Sequence, residues 1–336
     1  MKSLLRIAIF CCCLVNILQA QDLHFSQFHA APLQVNPSLT GIFNGDMRFM
    51  GNFRSQWVAV PVPYMTFSAA YDQKILKVGK SGGNALSGGM YLSYDQTGDS
   101  ELSLLQIGTS IAYAQQINKN NFLSIGIMLG VGQRRFRTDN LTFDEQYIDG
   151  TFIPNTPISE NFNNTSFGFV DVSMGLTYLV KFTDRLKFSV GSSVWHLNQP
   201  KYSFLNTDNS RLSRKYGVHL DATIPISPRM DLLPSAIFFM QDGYLERMVG
   251  AYWKYYLDDR KGMEKALLIG TWYRINDAAI GAVAIDYGFW RVGLSYDVNT
   301  SSFAVATRGR GGFELSGQYI ISKVKPLEKK KICPIF

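Results

Sequence analysis

Histidine and cysteine are the residue types that most often carry catalysis or bind metals, and this chain of 336 residues has few of either. The four histidines are scattered and form no His-Glu-x-x-His motif: His24, His29, His196 and His219. The chain also lacks the spacing of a nucleophile elbow or a P-loop. We therefore predict no catalytic residue, no bound metal and no cofactor, and we expect a protein that is not an enzyme.

Cysteine chemistry is excluded by where the four cysteines lie. Three of them fall in residues 1–20, which begin with Lys2 and Arg6 and continue with a short apolar stretch, as a secretory signal peptide does. Removal of this segment leaves Cys333 alone, so neither an intramolecular disulfide nor a structural zinc site can form. It also leaves 31 basic against 26 acidic residues, a net charge of +5 instead of +7, which is too mild to predict nucleic-acid binding.

Three other segments could bind a ligand, but each has a simpler interpretation. Gly126, Gly130 and Gly132 suggest a dinucleotide turn, yet they lie within an alternating strand, so we interpret them as small residues on its inner face. The acidic segment Arg137–Thr165 could hold calcium, but a solvated surface loop explains the same residues. The Arg308–Gly312 segment could bind an anion, and we interpret it as a flexible turn with two cations.

The elements that must position these residues are β-strands. In Phe289–Asn299, apolar side chains take every second place and small or polar side chains take the others. A period of two places the two sets on opposite faces of a strand, and the length fits a tilted membrane-spanning strand of roughly 9–11 residues. We predict that the apolar set faces lipid: Trp290, Val292, Leu294, Tyr296 and Val298. Leu294→Arg should then be costly, and Ser295→Arg tolerated if the lumen is wet.

Similar strands recur along the chain. With 23 Phe, 17 Tyr, 5 Trp and 29 Gly, and with no apolar run after residue 20 long enough for a membrane helix, the composition is typical of an outer-membrane barrel. We predict an all-β, transmembrane antiparallel β-barrel of about 14 strands. The predicted strands are 46–57, 63–75, 84–95, 101–116, 122–136, 166–182, 186–197, 214–226, 230–241, 245–257, 264–274, 277–287, 289–299 and 312–323.

The connections between these strands alternate in length, as they do in barrels with short periplasmic turns and long outer loops. The short ones are Val78–Gly83, Asn118–Asn121, Thr183–Arg185 and Ser227–Arg229. The long ones all fall between the others: Arg137–Thr165, Asn198–Ser213 and Thr300–Gly311. An even strand count then puts both chain ends in the periplasm. We divide the chain into a signal peptide (1–20), an irregular periplasmic or plug-like leader (21–45), the barrel (46–323) and a short basic periplasmic tail (324–336).

Two strands depart from simple alternation. The run Tyr252–Tyr256 holds four aromatic residues and a lysine, and we predict that it forms an interfacial aromatic belt. Pro234 lies inside a predicted strand, so we expect either a bulge there or a strand that starts later.

The leader has the pattern of neither a membrane strand nor an amphipathic helix, and here the sequence resembles a known family. It is similar to the start of PorP/SprF proteins, outer-membrane components of the Bacteroidetes type IX secretion system, at Asp22–Phe28, Ala31–Leu33, Asn36-Pro37 and Gly41–Gly45. Further segments resemble the family in the same order: Asn52–Trp57, Trp195–Pro200, Gly270–Arg274, Gly293–Asp297, Gly309–Leu315 and Cys333-Pro334. Val60–Pro63 departs from it, since members often have a plainer Ser/Thr-rich hairpin there.

The resemblance implies an accessory role in type IX secretion and gliding motility, without chemistry of its own. It implies contact with periplasmic ring proteins of that machinery and a link to export or surface attachment of large adhesin-like substrates. We expect the leader's aromatics to anchor such a partner and the tail's lysines to attract it. The candidate docking residues are His24, Phe25, Ser26, Gln27, Phe28, Asn36, Pro37, Lys329, Lys330 and Lys331. The alternative from the sequence is a passive outer-membrane porin or channel.

Overall fold

The computed structural model describes most of the mature chain. The described residues are 24–56, 64–78, 83–139, 141–154, 156–157, 159, 162, 164–183, 185–205, 210–258, 264–301 and 309–322. The predicted signal peptide, the tail with its three lysines, Arg308 and the Val60–Pro63 segment lie outside these residues. Among the described residues, no helix is long and apolar enough to cross a membrane, which has no bearing on crossing by β-strands.

Fourteen antiparallel strands close into a barrel in which each strand pairs with its neighbours in the chain, and the last strand pairs with the first. A two-stranded hairpin, β6 with β7, lies apart from the barrel. The strands are β1 (Met47–Gln56), β2 (Tyr64–Val78), β3 (Asn84–Thr97), β4 (Leu102–Gln116), β5 (Asn121–Arg135), β6 (Tyr147–Ile148), β7 (Thr151–Phe152), β8 (Ser166–Lys181), β9 (Lys187–Trp195), β10 (Lys215–Ser227), β11 (Met230–Gln241), β12 (Tyr244–Asp258), β13 (Lys265–Arg274), β14 (Ala278–Tyr287), β15 (Trp290–Asn299) and β16 (Arg310–Ile321).

The predicted fold class and strand count are confirmed. Every predicted barrel strand is present, and the largest boundary difference is three residues, at the end of β2. The prediction agrees with the structure because each strand must show one face to the lumen and one to the outside, and this requirement produces the two-residue period in the sequence. In β15, the five side chains predicted to face lipid are exposed, whereas Gly293, Ser295, Asp297 and Asn299 are buried.

The barrel has two unlike ends. Met47 of β1 pairs with Ile321 of β16, so both chain ends leave the barrel at the same rim, which we call the turn end. The connections at this end are short: 79–83, 117–120, 182–186, 228–229, 259–264 and 288–289. The opposite rim, the loop end, carries the three longest connections, 136–165, 196–214 and 300–309. This is the alternation of connection lengths that the sequence predicted.

Two local predictions are wrong. β11 starts at Met230 and runs through Pro234 without a bulge; instead, the ladder to β10 skips two pairs, because proline has no N–H to donate. The run Tyr252–Tyr256 does not form a belt on one surface. Trp253 and Tyr255 are exposed outside, whereas Tyr252 and Lys254 are buried in the lumen, because the strand's alternation continues through the aromatic run.

Candidate functional site: the leader and the vestibule

The described part of the leader, residues 24–45, lies inside the barrel lumen. Its path is set by three short helical turns, Phe28–Ala30, Pro32–Val35 and Pro37–Leu39. Pro32 and Pro37 each start a turn, where the fixed φ of proline suits the first helical position and no N–H is needed. Residues 24–45 therefore contact the inner face of the barrel wall.

The Asn36 side chain ties the middle of the leader to the barrel wall. It is fully buried, and its Oδ1 accepts hydrogen bonds from the backbone N–H and the hydroxyl of Ser38, at 2.9 and 2.7 Å. Its Nδ2 donates to the backbone oxygens of Leu176 in β8 and Ser192 in β9, at 3.2 and 2.9 Å. A side chain at Gly175 would overlap Asn36 Oδ1, since a Cβ atom there would lie 1.8 Å from it. A buried amide whose oxygen and nitrogen are both hydrogen-bonded is held firmly in one position.

The start of the described leader is held by a buried carboxylate. Glu314 of β16 is 1% exposed and accepts hydrogen bonds from the backbone N–H groups of Ser26 and Gln27, at 2.7 and 3.0 Å. Gln27 returns the contact, because its Nε2 donates to the Glu314 backbone oxygen at 2.8 Å and its Oε1 accepts from the Ser316 hydroxyl at 2.7 Å. β16 thus binds Ser26 and Gln27 of the leader by hydrogen bonds to both their main-chain and their side-chain atoms.

Charged side chains from three other strands complete this anchor. The Ser26 hydroxyl donates to Asp297 Oδ2 at 2.7 Å, and the same oxygen accepts from Arg54 at 3.0 Å and Arg274 at 2.6 Å. Arg54 also donates to the His24 backbone oxygen at 2.7 Å. Asp297 therefore pairs with two buried arginines, as the burial of a charge requires. These wall residues lie within the sequence motifs that resemble the family, but sequence alone gave them no role, because Ser26 meets Asp297 and Glu314 across 271 and 288 positions.

Apolar contacts fix the side of the leader that faces β11–β14. Phe28 and Val35 belong to a buried cluster with Ile237, Met248, Leu268 and other lumen-facing side chains. His29 stacks on Trp272 with ring centroids 5.4 Å apart and meets the edge of Tyr252 at 5.1 Å. This half of the lumen is therefore a packed core and not a water-filled channel.

At the turn end of the lumen, the leader leaves open a cavity of about 810 Å³, which we call the vestibule. Its lining carries one carboxylate, Asp221, and five cationic side chains: Lys74, Lys77, Lys181, Lys187 and Arg291. Lys74 Nζ donates to the backbone oxygens of Phe43 and Gly45, at 2.7 and 2.8 Å, where the leader passes the rim. Lys77 pairs with Asp46 and Arg291 pairs with Asp286, yet the cationic side chains still outnumber these carboxylates, which suits an anionic ligand or an acidic peptide.

The loop end has a different chemistry. Aromatic side chains from two long connections pack together there, with Phe136 in edge contact with Phe162 and Phe204. In the acidic loop, the hydroxyl and the backbone N–H of Ser159 donate to Glu145, and these hydrogen bonds lower the pKa of its carboxyl. In the described part of the chain, no three His, Cys, Asp or Glu side chains lie close enough together to hold a metal ion.

The structure brings most of the candidate docking residues together, but inside the barrel. Phe25 and Phe28 are 4% exposed, Ser26 and Gln27 are 1% exposed, and Asn36 and Pro37 are buried. While the leader is seated, these side chains contact the barrel wall, so a partner reaches them only if the leader moves. The four histidines remain apart, and His196 instead contacts Asp171 at 2.9 Å. The tail lysines lie outside the described residues.

Gly126 and Gly132 face the lumen, as predicted, and a Cβ atom at Gly126 would lie 2.5 Å from the Pro37 backbone. The glycine is therefore needed where the leader approaches β5. The sequence showed small residues on an inner face; the structure shows what they make room for.

Comparison with solved structures returns membrane transporters and channels. The toluene transporter TbuX of Ralstonia pickettii is 11% identical, with a TM-score of 0.49 and coverage of 87% of this chain and 94% of that one. The toluene transporter TodX of P. putida is 9% identical (TM-score 0.49; 87% and 93% covered), and a Pseudomonas aeruginosa FadL homologue is 10% identical (0.47; 84% and 92%). Likenesses this weak say nothing about substrate or role.

Comparison with curated proteins finds no match. The family model for the type IX secretion system membrane protein PorP/SprF, in contrast, matches residues 17–319, which include the whole described leader and nearly all of the barrel. The match spans the leader and the wall residues that hold it in place. This chain therefore belongs to the PorP/SprF family of type IX secretion system membrane proteins.

Proposed function

We propose that this protein is a non-enzymatic outer-membrane component of the type IX secretion and gliding machinery, and that it assists export or surface attachment of large adhesin-like substrates. The observation that carries the proposal is the seated leader. Four wall residues that hold it, Arg54, Arg274, Asp297 and Glu314, fall in motifs typical of the family. Their buried charges hold a polypeptide in place, which supports a structural and partner-binding role.

In this proposal the turn end faces the periplasm, because short connections mark that side of outer-membrane barrels. The basic vestibule and the tail lysines Lys329, Lys330 and Lys331 then lie on the side of the ring proteins. Long-range attraction between such a surface and an acidic partner speeds encounter and orients it. The leader residues His24–Phe28 would join the interface only after leaving the lumen.

The first experiment tests the role itself and the tail. A strain that lacks the protein should lose a secreted adhesin from its surface, and the full-length protein should restore it.

A variant with residues 326–336 deleted should reach the membrane at a normal level, yet capture less ring protein in pull-downs. Lys201→Gln, which removes a cation at the loop end, is the matched control. Normal adhesin secretion in the deletion strain contradicts the function, and normal ring capture by the tail variant contradicts only the docking surface.

The second experiment separates this function from a passive channel. The leader fills the lumen beside β11–β16 with packed apolar and hydrogen-bonded contacts, so the purified protein should give no steady conductance in a planar bilayer. Sustained, large single-channel currents from the intact protein would favour the channel instead.

A further inference from the structure

The barrel wall is interrupted between β10 and β11. The register of the two strands gives Asp221 opposite Ser235 and, three residues on, Ile224 opposite Leu232, and the two pairs between them are missing. One of the missing pairs is Ala222 with Pro234. Because proline has no N–H to donate, the ladder cannot close at this point, whereas the pairing of β11 with β12 stays continuous through Pro234. We call this interruption the window.

The window lies between two cavities on opposite sides of the wall. One is the vestibule, and the other is an apolar groove of about 350 Å³ on the outer surface, lined by side chains such as Tyr178, Val190 and Leu220. Six residues line both cavities: Phe188, Ser189, Asp221, Ala222, Pro234 and Ser235. At these six residues, only the wall of the barrel separates the outer groove from the vestibule, and this is where the ladder between β10 and β11 is interrupted.

The strands on both sides of the window are firmly held, so the interruption is local. On the loop-end side, regular pairing continues from Asp221–Ser235 up to Lys215–Gln241. On the turn-end side, Arg185 clamps the β10–β11 connection by donating to the backbone oxygens of Ser227 and Pro228, at 3.0 and 2.8 Å, and by an ion pair with the buried Asp231. A gap bounded in this way is a feature of the folded barrel and not a frayed strand end.

The chemistry on the two sides of the window fits an amphiphile. The outer groove is apolar and faces the membrane, whereas the vestibule behind it is lined by Lys74, Lys77, Lys181, Lys187 and Arg291. Two buried polar atoms that line the vestibule, the Tyr252 hydroxyl and His29 Nδ1, have no hydrogen-bond partner within the described structure. Asp221, at the window, offers an acceptor for a hydroxyl donor. Basic pockets beside apolar wall surface are where anionic headgroups bind.

We propose that one anionic phospholipid of the adjacent leaflet occupies this site, with its headgroup in the vestibule and an acyl chain passing through the window into the outer groove. The depth agrees with this arrangement. Ala222 lies five residues from the end of β10 at Ser227, roughly 16 Å along a strand and less in depth because barrel strands are tilted. A headgroup at the turn-end rim and a chain at the window are therefore within the reach of one lipid molecule.

The experiment measures lipid binding to the purified, detergent-solubilised protein by native mass spectrometry, with phosphatidylglycerol as the probe. We expect one tightly bound phosphatidylglycerol and at least roughly tenfold weaker binding of phosphatidylcholine. Pro234→Val restores an N–H and should weaken phosphatidylglycerol binding to a similar degree, as should Ala222→Leu, which fills the window. Pro225→Val is the matched control, because Pro225 is a proline of the facing strand β10 and keeps its ladder pair with Asp231. Heat-modifiable migration in gels establishes that each variant is folded.

A second measurement locates the lipid chain. Phosphatidylglycerol with a photoactivatable acyl chain should label peptides that contain Ser189 or Ser235 in the native protein, and should label them less in Pro234→Val. Three results would overturn the proposal: equal binding of the two lipids, unchanged binding in both window variants, or binding of glycerol 1-phosphate as tight as that of the lipid. The last result would leave an anion site in the vestibule with no lipid chain.

Discussion

At the scale of single residues, the notable feature is how few side chains hold the leader, and how buried they are. Glu314 accepts hydrogen bonds from two backbone N–H groups of the leader, and Asn36 uses both the oxygen and the nitrogen of its amide. Removing one partner from such a buried pair leaves the other unsatisfied, which costs more than an average hydrogen bond contributes.

Glu314→Ala should therefore release the start of the leader. The backbone N–H groups of Ser26 and Gln27 lose the carboxylate that accepts from them, at a cost of about 1–3 kcal/mol or more. We expect chymotrypsin to cleave after Phe25 or Phe28 much faster in the variant, as followed by intact mass. Glu145→Ala, which removes an exposed loop carboxylate, is the control. Equal cleavage rates in the two variants would show that Glu314 does not hold the leader.

A second prediction concerns the close approach between the leader and β5. Gly126→Ala places a methyl group against the Pro37 backbone, which cannot turn aside as a side chain can, and we expect a loss of about 1–3 kcal/mol. Gly281→Ala is the matched control, because a Cβ atom there meets nothing within 4 Å. The measurement is the temperature at which each variant loses its folded migration in gels. A Gly126→Ala barrel as resistant as Gly281→Ala would mean that the leader does not press on β5.

At the scale of the strands, the two faces of the wall differ in how much a charged substitution destabilises the barrel. Leu294→Arg puts a charge on the membrane face near the centre of β15 and should cost roughly 2–4 kcal/mol in refolding into lipid vesicles. Ala114→Glu should be tolerated, because Ala114 faces the vestibule, whose cationic side chains are of opposite charge. Comparable stabilities of these two variants would contradict the assignment of the faces.

The earlier expectation for Ser295→Arg changes with the structure. It assumed a wet lumen, but Ser295 is 2% exposed in a region that the leader fills. An arginine there has no space and no water, so this substitution should be costly as well.

The strands could be predicted from the sequence because their signal is local. Alternation within about ten residues indicates which side chains face lipid, and that is enough to find all fourteen barrel strands to within three residues at each end, although not the hairpin of β6 and β7. The predicted aromatic belt at Tyr252–Tyr256 is wrong because it rested on the aromatic composition of the run and ignored the alternation of the strand. The seat of the leader could not be predicted, since Ser26 meets Glu314 across 288 positions and no local pattern encodes that contact.

At the scale of the whole molecule, the unlike ends of the barrel predict its orientation. A protease added to intact cells should cleave first within 137–165 or 198–213, because exposed loop tips are preferred sites of nicking. The 183–185 turn should be cut only after the outer membrane is opened. Cleavage at that turn in sealed cells would invert the topology and would also contradict the periplasmic docking surface.

The seating of the leader also has a consequence for the order of folding. Glu314 stands opposite Arg54 in the register of β1 and β16, the pair of strands that closes the cylinder, and it is also the residue that grips Ser26 and Gln27. The earliest described part of the chain thus finds its partner on the last strand to be synthesised. Contacts so distant in sequence form late. All contacts of the leader can form only after β1 and β16 have paired. A leader held in the lumen therefore indicates that the barrel is closed.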